Sequence, residues 1–470
     1  MLLSVDLDPK ACYQAGLARD RRFDGKFFTA VLTTGIYCRP ICPARTPHFK
    51  NVAYYACAAA AEANGFRPCK RCRPDTAPGS PAWAGTSSTV LRALRMIAHG
   101  TLDAEKLGVS DRHLRRLFQE ELGASPLAIS HVERLHFARK LIEETTLPLS
   151  AIAFNAGFQS IRRFNDALKS ALGKTPSELR KTLQPQSSGN WLHLKLPYAE
   201  PYDWPALLRF LSARAIAGVE TVTPELYRRT FRFDGNPGIL EVRHLPAKHS
   251  VELRITSVAP ASLQKLARKV RRLFDLDAEP RRIHDHFAAD PVLAPLIARR
   301  PGLRVPGAFD TFELVMRAVL GQQVTVRGAS TLAARIVEKW GSPHGAERLF
   351  PLPETLATAD MSTIGLPGKR AATLQGVART FAGTPAFLED CTSLEEAVQR
   401  MVNLDGIGPW TAHYVAMRAL NEPDAFPSSD LALLKAVGLK NPKDLINMAE
   451  AWRPWRAYAA LHLWMKDYPL

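Results

Sequence analysis

LDGIGPWTA, residues 404–412, places glycines at 406 and 408 on either side of Ile407 and puts Pro409 where a following helix would open. Glycine lets the backbone turn sharply, and proline's fixed φ and missing N–H suit the first turn of a helix. The expected product is a hairpin between two helices with backbone N–H groups pointing outward. Backed by the dipole of the second helix, such a hairpin can hold a DNA phosphate. The same letters also spell a plain helical turn. Twenty residues beyond Trp410 the chain reads FPSSDLALLK, with Asp430 ahead of an apolar run. An aspartate there is a helix cap by default; a reactive carboxylate is the other reading.

Upstream of the hairpin the chain divides at stretches rich in Pro, Gly and Ser. TAPGSPAWAGTSS (76–88) and QPQSSGN (184–190) read as linkers, and RRPGLRVPGAFD (299–310) as a softer boundary. The expected domains are 1–80, 86–183, 190–300 and 304–470. The last is helical and interrupted by turns. The third alternates β-rich runs (WLHLKLPY, ILEVRHL, SVELRITSV) with helices (PALLRFLSARA, ASLQKLARKVRRLF) and predicts an α+β domain with an antiparallel sheet. The second is nearly all helix and repeats itself. SDRHLRRLFQEELGASPLAI (110–129) and QSIRRFNDALKSALGKTPSEL (159–179) share a basic helix with an apolar stripe, then a glycine, then a proline. Each follows a short helix and turn. Two helix-turn-helix units in tandem are expected, their recognition helices capped by Ser110 and Ser160. Arg112, Arg115 and Arg116 in the first, with Arg162 and Arg163 in the second, fall on or near exposed faces and are candidate DNA contacts.

The first segment carries the metal chemistry. TTGIYCRPICPARTP (33–47) holds Cys38 and Cys42, and FRPCKRCRPD (66–75) adds Cys69 and Cys72. Two close pairs, C-x3-C and C-x2-C, build a tetrahedral thiolate zinc site from two knuckles. In a reducing compartment zinc outranks disulfide. Cys12, Cys57 and Cys391 lack such partners. Arg39, Arg45, Arg67, Lys70, Arg71 and Arg73 crowd the knuckles, and cations beside thiolates suit a phosphate ligand.

The charge distribution agrees. The net formal charge is +17 over 470 residues; residues 1–80 carry +6, residues 81–185 carry +5, and the remaining 285 share +6. A basic surface concentrated at one end suits a polyanion, and nucleic acid is the commonest. The alternative is a solvated, arginine-rich surface. No run of 18 apolar residues occurs, so no membrane span is expected. The opening MLLSVDLDPK has acids where a secretory signal would carry bases, and a cytoplasmic, nucleoid-associated protein is expected.

Two resemblances sharpen these readings. FFTAVLTTGIYCRPICPAR…NVAYYACAAAAEANGFRPCKRCRPD resembles the N-terminal domain of the Ada methylation-response proteins, and the tandem helices resemble the AraC-type domain that follows it there. The resemblance implies one Zn²⁺, structural and activating, on Cys38, Cys42, Cys69 and Cys72. It implies that Cys38 takes a methyl group irreversibly from a DNA methylphosphotriester, and that Thr34, Arg45 and Arg67 contact DNA. Four thiolates on Zn²⁺ carry a formal charge of about −2, which repels phosphate; methylating one sulfur removes one negative charge and should tighten DNA binding. The methylguanine methyltransferase motif of the longer Ada proteins, Pro-Cys-His-Arg, does not occur.

VMRAVLGQQVTVRGA, LPGKRAATL, LDGIGPWTAHYVAMRAL, SSDLALLKAVGL and WRPWRAYAALHLWM resemble the AlkA-type members of the helix-hairpin-helix–GPD superfamily of DNA glycosylases, over about 190–470. That resemblance places Asp430 on the catalytic aspartate, Trp410, Tyr414 and Trp464 in the aromatic base pocket, Gly406 and Gly408 in the DNA-binding hairpin, and Gln323 where a leucine wedge is usual. Trp410 stands where bifunctional relatives carry a Schiff-base lysine, so a monofunctional glycosylase is implied. The fold class expected is multidomain and predominantly α with α+β parts: a small zinc-binding Ada domain, an AraC-type double helix-turn-helix, an AlkA-like N-terminal α+β domain and a helical glycosylase domain. The expected partners are double-stranded, alkylated and promoter DNA, and RNA polymerase. The alternative is a transcription regulator whose glycosylase-like module binds DNA without catalysis.

Overall fold

The computed structural model describes residues 8–19, 23, 27–55, 61, 64–69, 71–72, 89–90, 93–94, 96–97, 102–122, 124–183, 191–256, 263–389, 391 and 393–466. Both inferred linkers, 76–88 and 184–190, lie outside them, as do Cys57, Lys70 and Arg73. The chain forms two compact units, residues 1–130 and 131–470.

The first unit opens with α1 (Pro9–Leu17), capped by the Asp8 carboxylate, which accepts the Lys10 N–H. A four-stranded sheet follows, in the order β3-β1-β2-β4, from β1 (Phe28–Val31), β2 (Ile36–Cys38), β3 (Val52–Tyr55) and β4 (Arg67–Pro68). β4 runs parallel to β2, and the Cys69 N–H donates to the Tyr37 carbonyl at 3.0 Å. This pairing brings the two cysteine knuckles together across 26 intervening residues. A small core of Phe28, Ala30, Tyr37 and Ala61 lies under the sheet. Farther along, Val90, Ala93, Ile97, Leu107, Leu114 and Phe118 form a separate core that seats α2 (Asp111–Leu122). The Ser110 hydroxyl caps α2 by accepting the His113 N–H at 3.2 Å.

Helix α3 (Pro126–Glu144) carries the chain from the first unit into the second. There α4 (Leu149–Asn155), α5 (Ile161–Leu172) and α6 (Pro176–Leu183) complete the second helix-turn-helix. Ser160 caps α5, and Gly173, at φ +67, ends it with a left-handed residue that costs glycine little.

The antiparallel sheet of the α+β region has five strands in the order β5-β9-β8-β7-β6: β5 (Trp191–Pro197), β6 (Glu220–Val222), β7 (Leu226–Phe233), β8 (Asn236–Leu245) and β9 (Ser250–Thr256). Helix α7 (Trp204–Ser212) precedes β6, and α8 (Leu263–Leu273) follows β9. The three runs singled out in the sequence are β5, β8 and β9. Strand β7, LYRRTFRF, reads as polar, yet its Arg229 is 3 % exposed and bonded to Glu313 at 2.6 Å. The outer edge of β5 is covered by α3. There the Glu144 carboxylate accepts the Lys195 N–H at 2.8 Å, the Lys140 ammonium donates to the Lys195 carbonyl, and the two side chains pair at 2.9 Å. One apolar core runs from Ala138, Leu141 and Ile142 of α3 through Leu168 of α5 to Leu194 and Leu253 of the sheet.

The C-terminal region is helical: α9 (Pro280–Phe287), α10 (Leu293–Arg299), α11 (Thr311–Leu320), α12 (Val326–Trp340), a short hairpin of β10 (Ser342–His344) and β11 (Glu347–Leu349), then α13 (Pro353–Ala357), α14 (Gly368–Gly383), α15 (Leu394–Val402), α16 (Pro409–Ala419), α17 (Leu431–Ala436), α18 (Pro442–Ala449) and α19 (Arg456–Trp464). Two apolar cores meet at α16. Its Ala412, Val415 and Ala419 join the core of α11, α12 and α14, while Ala416 and Met417 join that of α9, α10, α17 and α19. A helix shared between two cores is apolar around most of its circumference, so α16 shows little amphipathic stripe.

Candidate base-excision site and zinc knuckles

The hairpin forms as expected. Ile407 is buried, Gly406 and Gly408 are exposed, and Pro409 opens α16. The two glycines answer different demands. Gly406 sits at φ +81, and a Cβ there would lie 2.0 Å from the Thr373 hydroxyl, so the fold itself requires it. A Cβ on Gly408 would meet nothing within 4 Å, so that position is open toward solvent. Gln322 ties the neighbouring loop to the hairpin, donating to the Gly406 carbonyl at 3.0 Å and the Thr411 hydroxyl at 3.2 Å. The next residue, Gln323, has a left-handed backbone at φ +56 and an exposed side chain, with Val324 and Val326 exposed beside it.

Asp430 is both a cap and the focus of the site. Its Oδ1 accepts the Ala432 and Leu433 N–H groups at 2.9 and 3.0 Å and the Trp464 indole at 3.1 Å; its Oδ2 accepts the Trp410 indole at 2.8 Å. Three elements thus converge on one carboxylate: α16 through Trp410, α17 through its N-terminus and α19 through Trp464. The Trp410 and Tyr414 rings stack 5.4 Å apart at an interplanar angle of 6°, and Trp464 is 6.4 Å from Tyr414. These distances bring the three residues inferred for the base pocket together with the inferred catalytic aspartate.

Groups that the sequence did not single out hold this arrangement. Asp424, fully buried, accepts the Arg456 fork at 2.9 and 2.7 Å and Arg453 at 3.2 Å, which pins the 421–430 loop to α19. Burial raises the Asp424 carboxyl above its ordinary range, and Arg456 and Arg453 work against that rise. His413 accepts the Phe426 N–H on Nδ1 at 3.3 Å; burial, with Arg456 and Arg453 beside it, pushes it down to about 4. Arg418 donates to the Tyr414 oxygen at 2.8 Å and to the Pro306 and Gly307 carbonyls. Burial alone would raise the Tyr414 phenol, but Arg418 and Arg214 outweigh it and hold it below its usual value. The signal for Asp424 and Arg418 was available: a charged residue inside an apolar run is either a surface break or a buried pair.

In the first unit, Cys38 ends β2, Cys42 follows a tight turn, Cys69 follows β4 and Cys72 lies three residues on. Their four sulfurs all lie within 4.8 Å of one another, with Cys42 and Cys69 at 4.0 Å. Zn–S bonds of about 2.3 Å in a tetrahedron separate the sulfurs by about 3.8 Å, so this donor set fits zinc. Cys69 and Cys72 are buried, while Cys38 and Cys42 are half-buried. Arg39 is not a surface cation as its neighbours are. It is 5 % exposed, its N–H donates to the Cys72 sulfur at 3.3 Å, and its guanidinium donates to the Cys72 carbonyl. It therefore locks one knuckle to the other. Thr34, Arg45, Arg67 and Arg71 are exposed, as are Arg115 on α2 and Arg162 on α5.

The hairpin, the capped carboxylate and its aromatic walls define a helix-hairpin-helix glycosylase body, and metal-binding and helix-turn-helix modules precede it. Residues 11–75 match the metal binding domain of Ada, residues 104–182 a helix-turn-helix domain, and residues 193–310 the AlkA N-terminal domain. The chain is 41 % identical to the probable bifunctional transcriptional activator/DNA repair enzyme AlkA of Mycobacterium tuberculosis, over 97 % of this chain and 96 % of that one. The chain belongs to this family of bifunctional transcriptional activator/DNA repair enzymes. It is also 35 % identical to DNA-3-methyladenine glycosylase 2 of Escherichia coli (58 % of this chain, 96 % of the other), and 36 % identical to the Ada protein of Escherichia coli (36 % and 48 %). A solved 3-methyladenine DNA-glycosylase from Archaeoglobus fulgidus shares the fold, with a TM-score of 0.52 at 21 % identity over 58 % of this chain and 97 % of that one. No described helix is long and apolar enough to cross a membrane.

Proposed function

We propose that the protein answers alkylation damage in two ways: it excises alkylated bases such as 3-methyladenine, and it accepts methyl groups from DNA methylphosphotriesters on Cys38 to activate transcription. The observation that carries the first activity is the Asp430 carboxylate, held by two indole N–H groups beside stacked Trp410 and Tyr414. The hairpin at 406–408 holds the phosphate backbone, Gln323 enters the space left by the flipped nucleotide, and the base lies among Trp410, Tyr414 and Trp464. The electron-rich ring faces favour a cationic base. As the glycosidic bond breaks, its electron pair leaves with the base. The Asp430 charge opposes the cation growing on the sugar and orients the water that adds to it. No lysine stands in the hairpin, so the backbone is left intact.

For the second activity, bound zinc keeps the four cysteines as thiolates. The Cys38 sulfur attacks the methyl carbon of the triester; the S–C bond forms, the C–O bond breaks, and the phosphate leaves with the electron pair as an ordinary diester. The outward position of the first knuckle supports Cys38 as acceptor, with Thr34, Arg45 and Arg67 exposed beside it for the DNA. Arg115 and Arg162 read promoter DNA, where the methylated protein engages RNA polymerase on the nucleoid. The four functional parts occupy 1–80, 86–183, 190–300 and 304–470. The test is abasic-site formation on methylated duplex, together with mass analysis of Cys38 after incubation with methylphosphotriester DNA. Absence of abasic sites assigns the C-terminal part to DNA binding alone; an unmodified Cys38 removes the methyl-transfer step.

A further inference from the structure

The aromatic pocket has a cationic end. Arg214, two residues beyond α7, lays its guanidinium over the Phe210 ring at 3.7 Å from the centroid and donates to the Phe210 carbonyl at 3.3 Å. Arg418 lies over the same Phe210 ring at 4.9 Å and donates to the Tyr414 phenol at 2.8 Å, and both guanidiniums hold that phenol below its usual value. Tyr414 in turn stacks on Trp410, which holds Asp430. A line of contacts therefore runs from Arg214 through Phe210, Arg418, Tyr414 and Trp410 to the carboxylate. The backbone of Arg214 is fixed from behind: its carbonyl accepts from Arg317 at 2.7 Å, and Arg317 is itself anchored by buried Glu220 and Glu313. A guanidinium has five N–H donors. Among the described residues one bond from the Arg214 fork is accounted for, to the Phe210 carbonyl, and the side chain is only half-buried.

Ring faces and a fixed cation select opposite properties. The faces of Trp410 and Tyr414 favour a positively charged base. A guanidinium repels that charge and favours a base with a carbonyl or ring-nitrogen acceptor on its edge. Resting on the excision activity argued above, we propose that Arg214 is a specificity-determining residue of the base pocket. It donates to an acceptor on the flipped base and admits neutral lesions with a carbonyl edge, which the aromatic walls alone hold weakly. Phe210 keeps the donor fork aimed, by its ring face and by its carbonyl.

The test compares single-turnover release of hypoxanthine, neutral with a carbonyl edge, and of 3-methyladenine, cationic without one, from duplex DNA. Arg214→Met removes both charge and donors; Arg214→Gln restores a neutral donor. The expected result is that Arg214→Met raises the ratio of 3-methyladenine to hypoxanthine rates by about tenfold or more, since a buried hydrogen bond to a base discriminates by about that factor or better, and that Arg214→Gln recovers part of the hypoxanthine rate. Equal losses on both substrates, or an unchanged ratio, would overturn the proposal and leave Arg214 a structural residue. Wild-type protein that releases 3-methyladenine but no hypoxanthine would overturn it too, while leaving the excision activity in place; release of neither base would strike at that activity itself.

Discussion

At the scale of single residues, the cap that Asp430 forms is compatible with the catalytic role proposed for it. One oxygen satisfies the first N–H groups of α17 and both are fixed by indoles, so the charge is held rigid before any substrate arrives. Asp430→Asn keeps size and capping capacity and loses the negative charge. It should cost about 3–5 kcal/mol of transition-state stabilisation, a loss of roughly 10² to 10⁴ in rate, with DNA binding retained. Single-turnover excision of 3-methyladenine beside binding to an abasic analogue measures both; a near wild-type rate reduces Asp430 to a cap. His413 gives a pH signature. Its folded value of about 4 lies below the ordinary 6.5. Below pH 6.5 the unfolded chain takes up a proton that the folded chain refuses, so stability is full above 6.5 and is lost as pH falls toward 4. The loss is about 3 kcal/mol at most, with a slope near 1.4 kcal/mol per pH unit. His413→Gln can still accept the Phe426 N–H, and should flatten this part of the pH dependence in urea unfolding at pH 7 and pH 5. An identical slope in wild type and variant would refute it. Asp430 could be located in the sequence because SSDLALLKAVGL resembles the AlkA-type glycosylases; its position alone reads as a helix cap. Asp424 could be flagged as a charge inside an apolar run but not paired, because its partner Arg456 lies 32 positions away, and nothing local ties Arg214 to a pocket built from residues some 200 positions on.

At the scale of elements, the hairpin glycines should separate folding from the DNA contact proposed for them. Gly406→Val meets Thr373 and a left-handed backbone, and should destabilise the protein by about 2 kcal/mol or more. Gly408→Val enters open space at an ordinary φ of −92, so the fold should hold. Its side chain would stand between backbone N–H and phosphate, and DNA affinity should fall by about tenfold. Thermal unfolding and a salt-matched DNA titration distinguish the two; unaltered DNA binding by Gly408→Val would mean that the hairpin is not the phosphate site. The elements themselves were unevenly legible. Capped, amphipathic helices such as α5 declare themselves through Ser160, Gly173 and an apolar stripe. Strand β7 does not, because Arg228 and Arg229 look solvent-bound until Glu220 and Glu241 on the neighbouring strands, and Glu313 and Glu347 from distant parts of the chain, neutralise them. Helix α16 was recognised by its motif, since burial on both sides removes the periodicity.

At the scale of the whole molecule, each compact unit has its own cores, and the cysteine cluster belongs to the first. A core as small as Phe28, Ala30, Tyr37 and Ala61 leaves the zinc knuckles to supply much of the local stability. Freshly purified, reduced protein should carry one equivalent of zinc. Stripping it with a chelator should expose the first unit to proteolysis while leaving excision by the second intact. A zinc content below half an equivalent, or excision that fails with the metal, contradicts this. The cover over β5 bears on how the molecule can be cut. Lys140 and Glu144 occupy the outward N–H and C=O of Lys195 on the last strand of a sheet. A protein trimmed to begin at Trp191 would bare a seven-residue ribbon, Trp191–Pro197, ready to zip onto its twin. Such a fragment should self-associate in sedimentation runs where the same fragment begun ahead of α3 stays single, so the activator half would act as the repair half's built-in chaperone.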